Sequence, residues 1–196
     1  MSNDVNQSRR RFLTATTAVV GGAGVAAAAV PFVASMTPSA RARAAGAPVE
    51  ANISKLEPGR MVTFKWRGKP VWVVNRTDEM VSNLETLNDK LADPMSEAPQ
   101  QPEYAQNLTR SLKDKYLVMV GLCTHLGCSP LYRPEVAAEG MGSDWKGGFF
   151  CPCHGSKFDL AGRVYANVPA PTNMEIPPHY YIDDKTILIG EDGGAA

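Results

Sequence analysis

All four cysteines and two of the three histidines fall in two short stretches. The first reads Cys123-Thr124-His125-Leu126-Gly127-Cys128, the second Cys151-Pro152-Cys153-His154-Gly155-Ser156. Each offers a thiolate and an imidazole two or three residues apart: Cys123 with His125, and Cys151 with His154. Scattered cysteines would suggest a disulfide scaffold, whereas two tight clusters, each with its own histidine, suggest a metal site. A Cys2His2 set suits tetrahedral zinc. It suits equally a [2Fe–2S] centre with two imidazoles on one iron and two thiolates on the other. Neutral imidazoles leave such a centre less negative and lift its potential into a range of about −150 to +300 mV. Each stretch also holds one cysteine more than the site needs. A zinc module would more often use all four thiols, while spare thiols in an exported domain oxidise. The third histidine, His179 in Pro177-Pro178-His179-Tyr180, reads as a surface or packing residue.

These loops need rigid elements to hold them. Tyr116–Leu122 is a continuous apolar run that reads as a buried strand and feeds into the first cluster. Gly148-Phe149-Phe150 does the same for the second. Met61–Trp66 and Val71–Asn75 read as a hairpin around Arg67-Gly68-Lys69-Pro70. Val81, Leu84, Leu87 and Leu91 recur at helical spacing. They predict one short amphipathic helix over 78–91 with Asp78 at its N-cap. Residues 93–106 are Pro-rich and polar, hence a loop, while 162–165 and 186–189 are further strand candidates. No internal repeat of useful length is visible. Fifteen prolines, seventeen glycines and little helical periodicity after residue 110 favour a mainly β domain. The 196 residues suit one such domain plus an extra segment. Basic and acidic residues balance at 20 each, so no bulk positive field points to a nucleic-acid partner.

The extra segment is N-terminal. Ser8-Arg9-Arg10-Arg11-Phe12-Leu13 opens a run, Phe12 to Ala40, without a charged residue. The pair Arg9 and Arg10 before an apolar run matches a twin-arginine export signal, a route that carries folded, cofactor-loaded proteins. An ordinary start-transfer anchor obeying the positive-inside rule is the plainer alternative. Small residues around Ala40-Arg41-Ala42 and Ala42-Arg43-Ala44 also fit a cleavage site. The expected organisation is a cytoplasmic twin-arginine segment over 1–11 and a transmembrane anchor over 12–36. A flexible hinge linker then covers 37–50, and the metal-binding domain fills 51–196, with its binding loops within about 121–171.

The two loops resemble the cluster-binding signature of the Rieske proteins of cytochrome bc1 complexes. That signature fixes six Cys/His positions together with Gly127, Pro152, Gly155 and Ser156. The resemblance extends to the anchor, the hinge, the head and Val168-Pro169-Ala170-Pro171. It implies a Rieske-type antiparallel β-sandwich with a cluster-binding subdomain, plus one N-terminal transmembrane helix. It implies one [2Fe–2S] cluster per chain, with Cys123 and Cys151 on one iron, His125 and His154 on the other, and a Cys128–Cys153 disulfide. Ser156 would donate a hydrogen bond to a bridging sulfide. Leu126 would shield the cluster and touch a docked partner, Gly127 would be among the cluster-tuning positions, and Pro169, Ala170 and Pro171 would cover the cluster's third side. Two positions depart from the family. Phe158 stands where many members have a tyrosine that donates to a cysteine ligand, and Val168 stands where glycine is common.

The resemblance further implies the iron–sulfur subunit of a quinol:cytochrome c oxidoreductase. His154 would meet the hydroxyl of ubiquinol, cytochrome b and cytochrome c1 would be partners, and the parent complex would be dimeric. The chain would sit in a bacterial inner membrane with its N-terminus cytoplasmic and its head periplasmic, swinging on residues 37–50. Two other readings share parts of this pattern: a Rieske subunit of another periplasmic oxidoreductase such as arsenite oxidase, and a membrane-tethered zinc-binding structural module.

Overall fold

The computed structural model describes residues 6–193, and the chain divides into two units with the boundary between Ala44 and Ala45. In the first unit, α1 (Gln7–Ser35) starts where the Asn6 side chain accepts the Arg9 N–H at 3.1 Å. At about 1.5 Å per residue its 29 residues exceed a hydrocarbon core of about 30 Å. The helix is long and apolar enough to cross a membrane. A second helix, α2 (Ala40–Ala45), lies inside the stretch expected to be a linker. Its alanine–arginine sequence forms helix readily. Ser39 caps it, Oγ accepting the Ala42 N–H at 3.1 Å.

The second unit contains β1 (Val49–Asn52), β2 (Met61–Trp66), β3 (Lys69–Asn75), α3 (Asp78–Ser82), β4 (Tyr116–Val120), β5 (Leu131–Arg133), β6 (Gly148–Phe150), β7 (Lys157–Asp159), β8 (His179–Asp183) and β9 (Thr186–Ile189). The strands form three antiparallel sheets, ordered β1-β9-β8, β2-β3-β4 and β5-β6-β7. The β2–β3 hairpin pairs Trp66 with Lys69 across two residues, Arg67 (φ 49°) and Gly68 (φ 77°). Positive φ at both central positions is the type I′ geometry whose twist matches the strands.

Alternate residues of β3 and β4 face opposite ways. Val71, Val73, Val118 and Val120 join Ala51, Ile187 and Ile189 of the first sheet in one apolar layer. Trp72, Val74, Leu117 and Met119 join Phe149, Phe158, Cys123 and Cys151 in another. The middle sheet is therefore covered on both faces, which is why β4 reads as an unbroken apolar run. The second layer places the two cysteines on the main core.

Two sequence expectations change here. Residues 78–91 do not form one helix. Thr77, not Asp78, is the N-cap, accepting the Met80 N–H at 3.2 Å; α3 ends at Ser82, and a 3-10 turn follows over Glu85–Lys90. The buried guanidinium of Arg163 claims the Leu84 carbonyl at 2.7 Å, and Leu84 and Leu87 still face inward at the tighter spacing. Residues 162–165 make only isolated bridges, Phe158 with Val164 and Leu91 with Tyr165. Here the Asn173 side chain accepts the Val164 N–H at 2.8 Å, taking the place of a ladder partner. Strands β1, β5, β7 and β8 were not expected.

His179 opens β8 and is fully buried, its Nδ1 2.8 Å from the Pro177 carbonyl and its Nε2 without a partner among the described residues. Burial holds its pKa below the ordinary value, outweighing the Pro177 bond. The unfolded chain then binds a proton that the folded chain refuses. Stability is full above the ordinary histidine pKa of about 6.5 and falls as pH drops from there toward the depressed folded value. Urea midpoints of the full chain in detergent should decline on going from neutral to mildly acidic pH. His179→Gln should flatten that decline, and an equal decline in the variant would contradict it.

Candidate metal centre

Strand β4 runs into Gly121, and a Cβ there would collide with the Trp72 indole. Only glycine lets the chain pass so close to that ring on its way to Cys123. Strand β6 runs directly into Cys151, and β7 begins just after Ser156.

The two loops are built alike. In the first, the Gly127 N–H donates to the Cys123 carbonyl at 2.9 Å and the Cys123 N–H to the Cys128 carbonyl at 2.7 Å. In the second, Gly155 donates to Cys151 at 2.9 Å and Cys151 to Ser156 at 2.8 Å. Gly127 (φ 79°) and Gly155 (φ 80°) take the same left-handed conformation, which costs glycine nothing. The shared Cys-x-x-x-Gly spacing was the sequence signal for this duplication, and it is too short to register as a repeat.

The sulfur atoms divide into two kinds. Cys128 and Cys153 form a disulfide. Cys123 and Cys151 are free and buried. The Sγ atoms of Cys128, Cys151 and Cys153 lie within 4.8 Å of one another. They are not a ligand set, because two of the three are spent in the disulfide; the grouping shows instead that the disulfide lies beside the Cys151 thiol. Burial raises the pKa of Cys123, the His125 backbone N–H opposes this, the adjacent Cys151 adds to it, and the Ser156 hydroxyl again opposes it. Two abutting, buried thiols gain from a cation that neutralises them.

The imidazoles complete the set. The rings of His125 and His154 meet edge to face with centroids 4.7 Å apart. His125 Nδ1 is buried and has no hydrogen-bond partner among the described residues. A buried ring nitrogen left unpaired is costly, and metal ligation would satisfy it. His154 is solvent-exposed. The structure thus brings the two free thiols together and the two imidazoles together on the same pair of loops, and their chemistry fits a mixed-ligand [2Fe–2S] group.

Around this set, Leu126 is 72% exposed and Gly127 is exposed at the loop tip. Pro169 and Pro171 are exposed while Ala170 between them is buried, and the Ala170 N–H donates to Ser156 Oγ at 3.0 Å. The Thr124 hydroxyl donates to the Thr172 carbonyl at 2.7 Å, tying the first loop to the proline segment. Half-buried Val168 packs on the same core. Sequence reasoning missed the roles of Thr124, whose acceptor lies 48 positions away, and of the Ala170 amide, since a backbone donor carries no side-chain signal. Arg9 and Arg10 lie in the first turn of α1, in the other unit.

Phe158 is fully buried in the core that holds Cys123 and Cys151. A hydroxyl added there would supply a donor beside the thiolates. Phe158→Tyr should raise the reduction potential. One hydrogen bond to a charged acceptor, about 1.5 kcal/mol, corresponds to roughly 60 mV for a one-electron couple. Redox titration of the two proteins checks this, and an unmoved potential would count against it.

Comparison with known proteins gives a consistent answer. Residues 47–178 match the Rieske [2Fe–2S] domain family, and residues 1–39 match the segment described as Ubiquitinol-cytochrome C reductase Fe-S subunit TAT signal. The chain is 67% identical to the ubiquinol–cytochrome c reductase iron–sulfur subunit of Allochromatium vinosum, over 98% of this chain and 93% of that one. It is 43% identical to the subunit of the same name from Blastochloris viridis, over 96% of each. A solved chain described as hyperthermophilic respiratory Complex III is similar at 25% identity and a TM-score of 0.48, covering 90% of this chain and 99% of that one. The match over residues 47–178 makes this an iron–sulfur protein of the Rieske class, carrying a [2Fe–2S] cluster. The chain belongs to the family of ubiquinol–cytochrome c reductase iron–sulfur subunits.

Proposed function

We propose that this chain is the electron-accepting subunit of a quinol:cytochrome c oxidoreductase, with Cys123, His125, Cys151 and His154 as cluster ligands. The observation that supports the ligand assignment is that the two loops carrying the free buried thiols Cys123 and Cys151 also bring the His125 and His154 rings together, with the buried His125 Nδ1 unpartnered among the described residues. When bound, the [2Fe–2S] group supplies a one-electron acceptor of raised potential.

The chain's own residues do the rest. His154 is open to solvent, so its imidazole can meet a ubiquinol hydroxyl and take its proton on the ring nitrogen not engaged by metal. His125 is half-buried and shares that chemistry with poorer access. Leu126, Pro169 and Pro171 offer exposed apolar surface for docking, Leu126 next to His125 in the chain and the prolines flanking the Ala170 that bonds Ser156. The partners would be cytochrome b, where quinol is oxidised, and cytochrome c1, which receives the electron, in a dimeric complex. Arg9, Arg10 and Arg11 at the start of α1 support a cytoplasmic N-terminus, with the head in the periplasm of a bacterial inner membrane. Residues between α1 and β1, α2 included, would serve as the hinge on which the head moves.

The test is genetic and biochemical. Membranes from cells lacking this chain should lose quinol-dependent reduction of cytochrome c, and the full chain should restore it. Full activity without the chain would assign it to another oxidoreductase.

A further inference from the structure

Ala170 lies between two residues that have no backbone N–H. Its amide is therefore the one main-chain donor in the Pro169-Ala170-Pro171 segment. Pro169 fixes its own φ, and Pro171 confines Ala170 to extended backbone. The amide is thus held to one direction, and that direction ends at Ser156 Oγ, 3.0 Å away. Ser156 is fully buried, and its carbonyl is fixed by the Cys151 N–H at 2.8 Å.

A hydroxyl has one proton and two lone-pair sites. An N–H arriving at Oγ occupies an acceptor side and turns the hydroxyl's own proton away. Among the described residues the Ser156 hydroxyl donates to no protein oxygen or nitrogen. The Cys123 sulfur lies within its reach. The remaining direction is the sulfur side of the centre. A loop that only walled off solvent would need no donor at its buried middle residue.

We propose that the Ala170 N–H is a positioning group: it aims the Ser156 hydroxyl at the sulfur atoms of the metal centre, so the Pro-Ala-Pro segment sets the reduction potential through Ser156. This deepens the function proposed above and rests on it. A hydrogen bond to sulfur stabilises the added electron, so a well-aimed hydroxyl raises the potential and a freely turning one raises it less. The Thr124–Thr172 hydrogen bond pins the same segment and would hold the amide at its working distance.

The experiment is a redox titration followed by electron paramagnetic resonance on the full chain, comparing Ser156→Ala, Ala170→Pro and the double variant. Ala170→Pro removes the donor and should lower the potential, in the same direction as Ser156→Ala and by no more. The double variant should equal Ser156→Ala alone. Ala170→Gly keeps the N–H and should retain the wild-type potential. A wild-type potential in Ala170→Pro, or a double variant shifted by the sum of the two, overturns the proposal. If Ala170→Pro retains no centre, Thr124→Val replaces it. That variant should lower the potential when Ser156 is present and change nothing in the Ser156→Ala chain; additive shifts overturn the proposal. A wild-type chain with no [2Fe–2S] signal overturns the underlying function as well, whereas a normal signal with unmoved potentials overturns the positioning role alone.

Discussion

A chain carrying Cys151→Ser should emerge without its visible colour and without an iron–sulfur resonance, while Cys153→Ser should emerge coloured. Both residues lie in the same loop, two positions apart. Their surroundings separate them. Cys151 is free and buried against Cys123, and Cys153 is exposed and bonded to Cys128. The backbone bonds of Cys151 to Ser156 and Gly155 do not depend on its side chain, so the loop should survive the loss of sulfur. What is lost is a thiolate ligand, and a serine hydroxyl is too weak an acid to replace it. Cys153→Ser keeps the ligand set and opens a loop of 25 residues, a loss on the order of 3 kcal/mol by chain entropy. Its cluster should load and then bleach faster on warming. Absorbance and iron content of the two proteins check this. Full loading of Cys151→Ser would remove that residue from the ligand set.

The second large effect lies behind the site. Asp159 and Arg163 form a fully buried ion pair at 2.7 Å. Arg163 also donates to the Leu84 and Pro94 carbonyls and to Asn88 Oδ1, joining the turn after β7 to the 84–94 segment. Arg163→Leu would leave the Asp159 carboxylate buried with only the backbone N–H groups of residues 161 and 163, and would strand two carbonyls. Breaking one side of such a pair costs about 3–5 kcal/mol. For a unit of this size the melting temperature should fall on the order of 10 °C. Replacing both partners with leucine should recover part of the loss, since no charge is then left unpaired. Thermal unfolding of the full chain in detergent measures both variants. A melting temperature within a degree or two of wild type for Arg163→Leu would contradict the role assigned to the pair. Because Phe158 immediately precedes Asp159, the single variant should also release the cluster more readily.

The candidate donor residues stood out in the sequence because their chemistry lies in side-chain types at short spacing. Strands β2, β3, β4, β6 and β9 were legible for a similar reason: each is a run of β-formers bounded by turns or by the cysteine loops. The strands that escaped are short or mixed. Leu131–Arg133 and Lys157–Asp159 have three residues each, too few to show a period, and β8 opens on a histidine that looks like a loop residue. The 78–91 helix failed because its pattern is compatible with either turn geometry, and the deciding contact, Arg163 to the Leu84 carbonyl, spans 79 positions. Three arginines, Arg76, Arg110 and Arg163, are buried and bind backbone carbonyls. Nothing local in a sequence separates such arginines from surface ones. The linker expectation met α2, because alanine-rich flexibility and alanine-rich helix have the same composition.

The most direct measurement is pulsed electron paramagnetic resonance of the dithionite-reduced full chain in its membrane. The ligand set proposed here puts two imidazole nitrogens on one iron, so the [2Fe–2S] signal should show hyperfine coupling to two nitrogen nuclei, both lost in His125→Ala and His154→Ala chains that fail to load. A [2Fe–2S] signal without nitrogen coupling, or a colourless protein holding zinc, would contradict the account at its centre.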